Sequence, residues 1–136
     1  MTDFRKVTDS FTTSPQIEVA DLAQVAQDGF KLVINNRPDG ESPDQPASAE
    51  MEAAARALGL DYRYIPVRGG PTPEQADEMA AAVADAGGPV FAFCRSGTRS
   101  IVTWAIGQKL GGEMDRDTLI DAGGKAGYDL SAVLPN

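Results

Sequence analysis

The sequence contains no histidine and a single cysteine, Cys94. One cysteine cannot form an internal disulfide, so we expect a free thiol and a reducing compartment. One cysteine without histidine also supplies too few soft ligands to assemble a zinc or iron–sulfur site. We therefore predict that the protein uses no metal and no cofactor.

Basic residues are scarce in this chain. The 12 basic and 20 acidic residues give a formal net charge of −8. Nucleic acids and anionic membrane surfaces both bind through a basic footprint, so we expect neither as a partner. The acidity is explained by solubility alone, or by a basic partner.

Long apolar runs are absent as well. The first 11 residues lack the apolar segment of a secretory signal, and no stretch approaches the roughly 18 apolar residues that span a bilayer. The 136 residues are enough for one buried core. We expect a single cytoplasmic domain over residues 1–136, and the sequence does not predict an oligomeric state.

Apolar, β-branched segments alternate with helix-forming segments along the chain. The predicted strands cover residues 30–35, 61–67 and 89–93. The predicted helices cover residues 15–28, with Thr12, Thr13 and Ser14 as candidate N-caps, then 47–58, 73–87, 100–110, 115–122 and 128–134. This alternation predicts an α/β fold with a central, mostly parallel sheet and helices on both faces. Ligands of such sheets bind at the carboxyl ends of the strands, where the loops 35–45, 68–72 and 94–99 would meet.

The loop after the third predicted strand reads C-R-S-G-T-R-S from Cys94 to Ser100. Such a loop can turn successive backbone N–H groups toward an oxyanion, and Gly97 permits the positive φ that this requires. The following helix adds its N-terminal amides and dipole. Arg99 can grip two oxygens of a phosphate-like or sulfate-like group through its planar fork. This spacing predicts an anion-binding site.

Cys94 stands at the mouth of this loop. Helix N-termini and nearby arginines stabilise thiolates, so we expect a nucleophile that needs no histidine base. The alternative is a small buried hydrophobic residue at a strand end. Arg95, Ser96, Gly97 and Thr98 are candidate anion-binding residues of the loop. Ser100 is a candidate helix N-cap or a donor to the thiolate.

The loop resembles those of rhodanese-type sulfurtransferases and of cysteine phosphatases. Together with S-P-Q-I, I-N-N-R-P-D-G-E, Q-P and Y-I-P-V elsewhere, F-C-R-S-G-T-R-S is similar to the bacterial beta-lactamase-hydrolase-like, phosphatase-like family. That family is also labelled a sulfur transferase family. The resemblance implies a fold of the dual-specificity cysteine-phosphatase type, with Cys94 and Arg99 as catalytic residues.

Three departures distinguish this chain from cysteine phosphatases. Four residues separate Cys94 from Arg99 where the phosphatase loop has five, Phe93 replaces a histidine, and residues 68–72 lack the aspartate that protonates the leaving group. We therefore expect a sulfurtransferase that forms a persulfide on Cys94, taking a small anionic or sulfane-sulfur substrate and a thiol acceptor. The alternatives are a phosphatase that uses the same nucleophile and an anion-binding module without turnover.

Four further residues could contribute to the site. Asp39 and Glu41 are the acids that the predicted topology brings near the loop, and either could replace the missing general acid. Their structural alternatives are a turn at Asp39 and an arginine-paired surface charge at Glu41. Arg37 and Arg68 could widen the positive field, or they could be solvated or ion-paired.

Overall fold

The computed structural model describes residues 3–134. Within these residues, five strands form one sheet: β1 (Arg5–Thr8), β2 (Phe11–Ser14), β3 (Leu32–Asn35), β4 (Asp61–Tyr64) and β5 (Val90–Phe93). In the same part of the chain, five α-helices surround the sheet: α1 (Leu22–Gln27), which follows a short 3-10 helix (Val19–Asp21), α2 (Ser48–Ala57), α3 (Pro73–Asp85), α4 (Thr98–Leu110) and α5 (Arg116–Lys125).

The sheet has the strand order β1-β2-β5-β3-β4. Strands β2, β5, β3 and β4 run parallel, and β1 pairs antiparallel with β2 at one edge. The prediction of a mostly parallel α/β sheet is confirmed. Strand β5 occupies the centre, so its carboxyl end, where Cys94 follows, has a neighbouring strand on each side.

Two hydrophobic cores fill the two faces of the sheet. In β3, Leu32 and Ile34 pack with α3, α4 and α5, whereas Val33 between them packs with α1 and α2. This alternation follows from the two-residue period of a strand. The predicted placement of helices on both faces is therefore confirmed.

Helix α3 was predicted from local sequence signals, and the structure confirms it. Thr72 is its N-cap, and its hydroxyl accepts the Gln75 amide at 3.1 Å while the Gln75 side chain accepts the Thr72 amide at 2.9 Å. This reciprocal capping box satisfies two backbone donors at once. Pro73 at the first helical position adds a preset backbone angle.

The prediction of N-caps at Thr12, Thr13 and Ser14 is wrong. These residues lie in β2, buried between β1 and β5, and the first α-helix begins only at Leu22. The hydroxyls of Thr13 and Ser14 are satisfied there by the carbonyls of Gly97 and Pro15. The predicted helix over residues 128–134 is also wrong, since this segment contains only turns and irregular structure.

No helix within residues 3–134 combines the length and apolar character needed to cross a membrane. The longest helices, α3 and α4, have 13 residues each. The cytoplasmic location stays a prediction.

Candidate active site

The loop between β5 and α4 begins at Cys94 and ends where α4 starts at Thr98. Gly97 is the N-cap of α4 and has a left-handed φ of 89°. A side chain at Gly97 would be strained by this angle and would collide with the Tyr128 hydroxyl. Glycine is therefore required at this turn.

One predicted role of Ser100 was the N-cap of α4. This prediction is wrong, because Gly97 is the N-cap. The left-handed turn at Gly97 starts the helix earlier, so Ser100 becomes its third residue. Its hydroxyl is buried and has no hydrogen-bond partner among the residues that the structure describes. It thus donates to no group here, the Cys94 sulfur included.

Cys94 is fully buried, and its sulfur faces the loop backbone. The Gly97 amide donates to the Cys94 sulfur at 3.1 Å. The Cys94 amide donates in turn to the Ser14 carbonyl of β2 at 3.4 Å. A sulfur held by an inward-pointing amide at a helix N-terminus lies where negative charge is stabilised.

Three contacts hold the outside of this loop. The Gln16 amide donates to the Arg95 carbonyl at 3.2 Å, the Tyr128 hydroxyl to the Ser96 carbonyl at 2.9 Å, and the Thr13 hydroxyl to the Gly97 carbonyl at 2.9 Å. Sequence analysis missed a role here for Thr13, Gln16 and Tyr128. Only Gln16 carried a signal, because it lies in the S-P-Q-I segment of the family resemblance.

Arg99 follows in the first turn of α4 and is engaged by an acid. Its two terminal nitrogens donate to the two carboxylate oxygens of Glu41, each at 2.8 Å, and one of them also donates to the Val67 carbonyl at 2.9 Å. The pKa of Arg99 is raised, chiefly by Glu41 and further by the charge of nearby Cys94. The guanidinium fork is thus already bound to a planar oxyanion.

Glu41 lies between two arginines. The Arg37 Nε donates to the same carboxylate at 3.0 Å. A terminal nitrogen of Arg37 donates to the side-chain oxygen of Gln16 at 3.1 Å. Hydrogen bonding from Arg99, with a further contribution from Arg37, lowers the pKa of Glu41 to about 2 against the opposing effect of burial. Glu41 is therefore ionised at neutral pH.

A cavity of about 510 Å³ opens beside this ion pair. Its lining residues are Arg37, Glu41, Ser42, Pro43, Arg95 and Arg99. Three guanidinium groups face one carboxylate, so the cavity is locally positive although the chain carries a net charge of −8. This arrangement favours an anionic ligand.

The remaining predicted site residues lie in or around this region. The Ser96 hydroxyl donates to that of Thr98 at 3.0 Å on the exposed side of the loop. Asp39 accepts the Ser48 amide at 2.8 Å and so caps the start of α2, outside the cavity lining. Arg68 is exposed and also outside the lining. The structure thus groups Arg37, Glu41, Arg95 and Arg99 around one cavity, with Arg99 also near Cys94, and places Asp39 and Arg68 outside the lining.

Replacing Glu41 by glutamine should destabilise the protein in a pH-dependent way. The ordinary pKa of 4.5 falls to about 2 in the folded protein, a drop worth about 3 kcal/mol, which partial exposure reduces to about 2 kcal/mol. A lowered folded-state pKa stabilises above the unfolded value, and this contribution disappears as the pH falls from about 5 to about 2. Urea unfolding should show Glu41→Gln less stable at neutral pH, with the difference closing in acid.

The control for this measurement is Glu52→Gln. Glu52 pairs with Arg56 on the exposed side of α2 at 2.9 Å, with both side chains about half exposed. Such a surface pair contributes under about 1 kcal/mol. Equal losses in the two variants, or a Glu41→Gln difference that persists in acid, would contradict the assignment.

Comparison with known proteins connects this geometry to a family. Residues 3–111 match the phosphatase-like domain of beta-lactamase hydrolase-like proteins. The chain belongs to this family. A beta-lactamase hydrolase-like protein of Agrobacterium fabrum is 41% identical over 130 residues, which cover 94% of this chain and 30% of that relative. The chain thus spans about a third of the length of the curated relative.

Solved structures confirm the fold of this phosphatase-like domain. A candidate phosphatase from Neisseria meningitidis superimposes with a TM-score of 0.84 at 29% identity, covering 97% of this chain and 94% of that one. P. aeruginosa TpbA, solved in complex with phosphotyrosine, gives a TM-score of 0.67 at 13% identity, covering 93% and 76%. The family resemblance and the cysteine-phosphatase-like fold are therefore confirmed. The comparisons do not support the expected sulfurtransferase activity and agree better with the phosphatase alternative.

Proposed function

We propose that this domain hydrolyses aryl phosphate monoesters with Cys94 as the nucleophile. The observation that carries the proposal is that Arg99, which lines the arginine-rich cavity, also lies near the amide-bound Cys94 sulfur. The family match and the phosphotyrosine bound by TpbA support a phosphate monoester as the substrate class.

Substrate binding would exchange one oxyanion for another at Arg99. The guanidinium now binds both oxygens of Glu41, and the same fork fits two oxygens of a phosphoryl group. Glu41 would keep Arg37 as its partner when it yields Arg99. Because Cys94 is fully buried, the site would also have to open before a substrate reached its sulfur.

The chemical step would be a displacement at phosphorus. The Cys94 thiolate attacks, an S–P bond forms, and the P–O bond to the leaving group breaks with its electron pair on that oxygen. Water then attacks the phosphocysteine, which releases inorganic phosphate and restores the thiolate. Arg99 and the loop amides stabilise the charge on the phosphoryl oxygens in both steps.

An aryl leaving group is favoured because, among the residues that the structure describes, no protonated acid lines the cavity. Glu41, with a pKa of about 2, cannot donate a proton at neutral pH. Asp39 is outside the cavity lining and bound to the start of α2. A phenolate departs without prior protonation, whereas an alkoxide needs a general acid.

The test is turnover of p-nitrophenyl phosphate and of a phosphotyrosine peptide. We expect phosphate release by the wild type and none by Cys94→Ser, with a phosphoryl adduct on Cys94 in acid-quenched samples. Failure of the wild type on both substrates would contradict the proposal.

Sulfur transfer remains a second candidate because of one observation, the four-residue spacing between Cys94 and Arg99. A smaller ring suits a sulfane sulfur better than a full phosphoryl group. Here the Cys94 thiolate would attack the outer sulfur of thiosulfate, the S–S bond would break, and sulfite would leave. A thiol acceptor would then take the sulfur from the persulfide.

Mass measurement after thiosulfate treatment separates the two candidates. One added sulfur on the wild type, none on Cys94→Ser, and no aryl phosphate turnover would favour sulfur transfer. Phosphate turnover without a sulfur adduct would exclude it. Binding of phosphate without either reaction would indicate the anion-binding module.

A further inference from the structure

The carbonyl groups of the Cys94 loop are held from outside the ring, and this determines where its amides point. Peptide bonds in the described residues are all trans, so the C=O and N–H of one peptide point in opposite directions. A residue that binds a loop carbonyl on the outer side therefore directs the next amide inward.

The peptide between Ser96 and Gly97 shows both ends of this relation. Its carbonyl oxygen accepts the Tyr128 hydroxyl at 2.9 Å, and its N–H donates to the Cys94 sulfur at 3.1 Å. The planar Ser96–Gly97 peptide thus connects the Tyr128 hydroxyl to the Cys94 sulfur through one hydrogen bond at each end.

We propose that Tyr128 is a positioning residue, which holds the Gly97 amide on the Cys94 sulfur and thereby stabilises the thiolate. For turnover this role rests on the proposed function, although its effect on the thiol does not. Tyr128 follows α5 and lies beyond residues 3–111, the part of the chain that matches the family. The loop is therefore completed by a segment that the family match does not include.

Neighbouring residues hold the Tyr128 ring in place. The Tyr128 amide donates to the Gly123 carbonyl at 2.8 Å, and the Arg5 guanidinium lies 5.2 Å from the ring centre. Arg5 is itself paired with Asp3 at 2.9 Å. Burial raises the pKa of the Tyr128 hydroxyl, with Arg5 opposing this and Cys94 adding to it, so the hydroxyl stays protonated and able to donate. Arg99 is a further charged group near the sulfur.

The test is the ultraviolet absorbance of the thiolate as a function of pH, which needs no reagent to reach the buried sulfur. Wild type and Tyr128→Phe are each measured against the same protein carrying Cys94→Ser, so that other chromophores cancel. Tyr128→Phe removes the hydrogen bond that orients the Gly97 amide toward the sulfur. This loss should move the midpoint of thiolate formation upward by about half to one pH unit. An unchanged midpoint would overturn the proposal.

Leu130→Val is the matched control. Leu130 is buried two residues after Tyr128 and would contact any side chain placed at Gly123, so its truncation loosens the same segment without removing the hydroxyl. We expect an unchanged midpoint, whereas a shift equal to that of Tyr128→Phe would indicate a merely structural effect.

A second measurement keeps the proposal testable if Tyr128→Phe alters the packing. In the wild type, the Gly97 amide proton resonance should move as the thiolate forms, because this amide donates to the sulfur. In Tyr128→Phe that response should be smaller, and an equal response would contradict the proposal. Turnover of p-nitrophenyl phosphate is measured separately, so its absence would count against the proposed function alone.

Discussion

Replacing Arg99 by lysine should lower kcat/KM for aryl phosphate hydrolysis about a hundredfold to a thousandfold, the loss typical when a donor to a developing oxyanion is removed. Arg99 presents two nitrogens to one carboxylate at 2.8 Å each, which is the geometry that a phosphoryl group would inherit. Lysine keeps the positive charge but offers a point donor in place of the fork. The measurement is steady-state kinetics on p-nitrophenyl phosphate.

Arg63→Lys is the control for this variant. Arg63 is exposed on the edge strand β4 and is outside the lining of the arginine-rich cavity. Its conservative replacement should leave kcat/KM unchanged. Arg99→Lys must also unfold in urea as one cooperative transition, so that the kinetic loss is attributable to the site. A kcat/KM for Arg99→Lys equal to that of the wild type would contradict the role given to the fork.

Alkyl phosphates should be hydrolysed about 10²–10⁴ times more slowly than aryl phosphates, since this is the usual contribution of a general acid. The acid in the cavity, Glu41, has a pKa of about 2. Its proton is therefore absent when the P–O bond breaks at neutral pH. A series of substituted phenyl phosphates should show kcat/KM falling steeply as the leaving group becomes more basic.

Glu41→Gln provides the comparison for this series. Because the carboxylate does not act as an acid, its replacement should leave the slope of the leaving-group dependence unchanged, even though Arg99 loses a partner. A shallow slope in the wild type that steepens in Glu41→Gln would show that Glu41 donates a proton after all. Rapid turnover of alkyl phosphates by the wild type would contradict the prediction directly.

Sequence patterns predicted the elements whose determinants are local. Helix α3 was predictable because Thr72, Pro73 and Gln75 form its start within four residues. The Cys94 loop was predictable for the same reason, since a strand, a glycine-bearing turn, an arginine and a helix follow one another directly. Short-range signals of this kind can be interpreted without knowledge of the rest of the fold.

Strand β2 was missed because its environment decides its structure. Thr12, Thr13 and Ser14 have the side chains of helix caps, although threonine and the preceding Phe11 are also common in strands. Their burial depends on β1 on one side and on β5, far along the chain, on the other. Tertiary pairing therefore decided between two local interpretations.

The outer contacts of the Cys94 loop were unpredictable for a related reason. Tyr128 binds a carbonyl 32 residues earlier, and Thr13 binds one 84 residues later. Neither side chain belongs to a motif with the loop that it contacts. Equally, the sequence suggested Asp39 as a possible acid, but the start of α2 uses its carboxylate as a cap.

The position of β5 in the sheet also determines how the surroundings of Cys94 unfold. A strand paired on both sides releases its amides to solvent only when the whole sheet opens, unlike an edge strand that frays. Cys94 is anchored to this strand and bonded to β2, so hydrogen exchange around it should be as slow as global unfolding. The Cys94 site would then be lost together with the entire fold rather than by local opening.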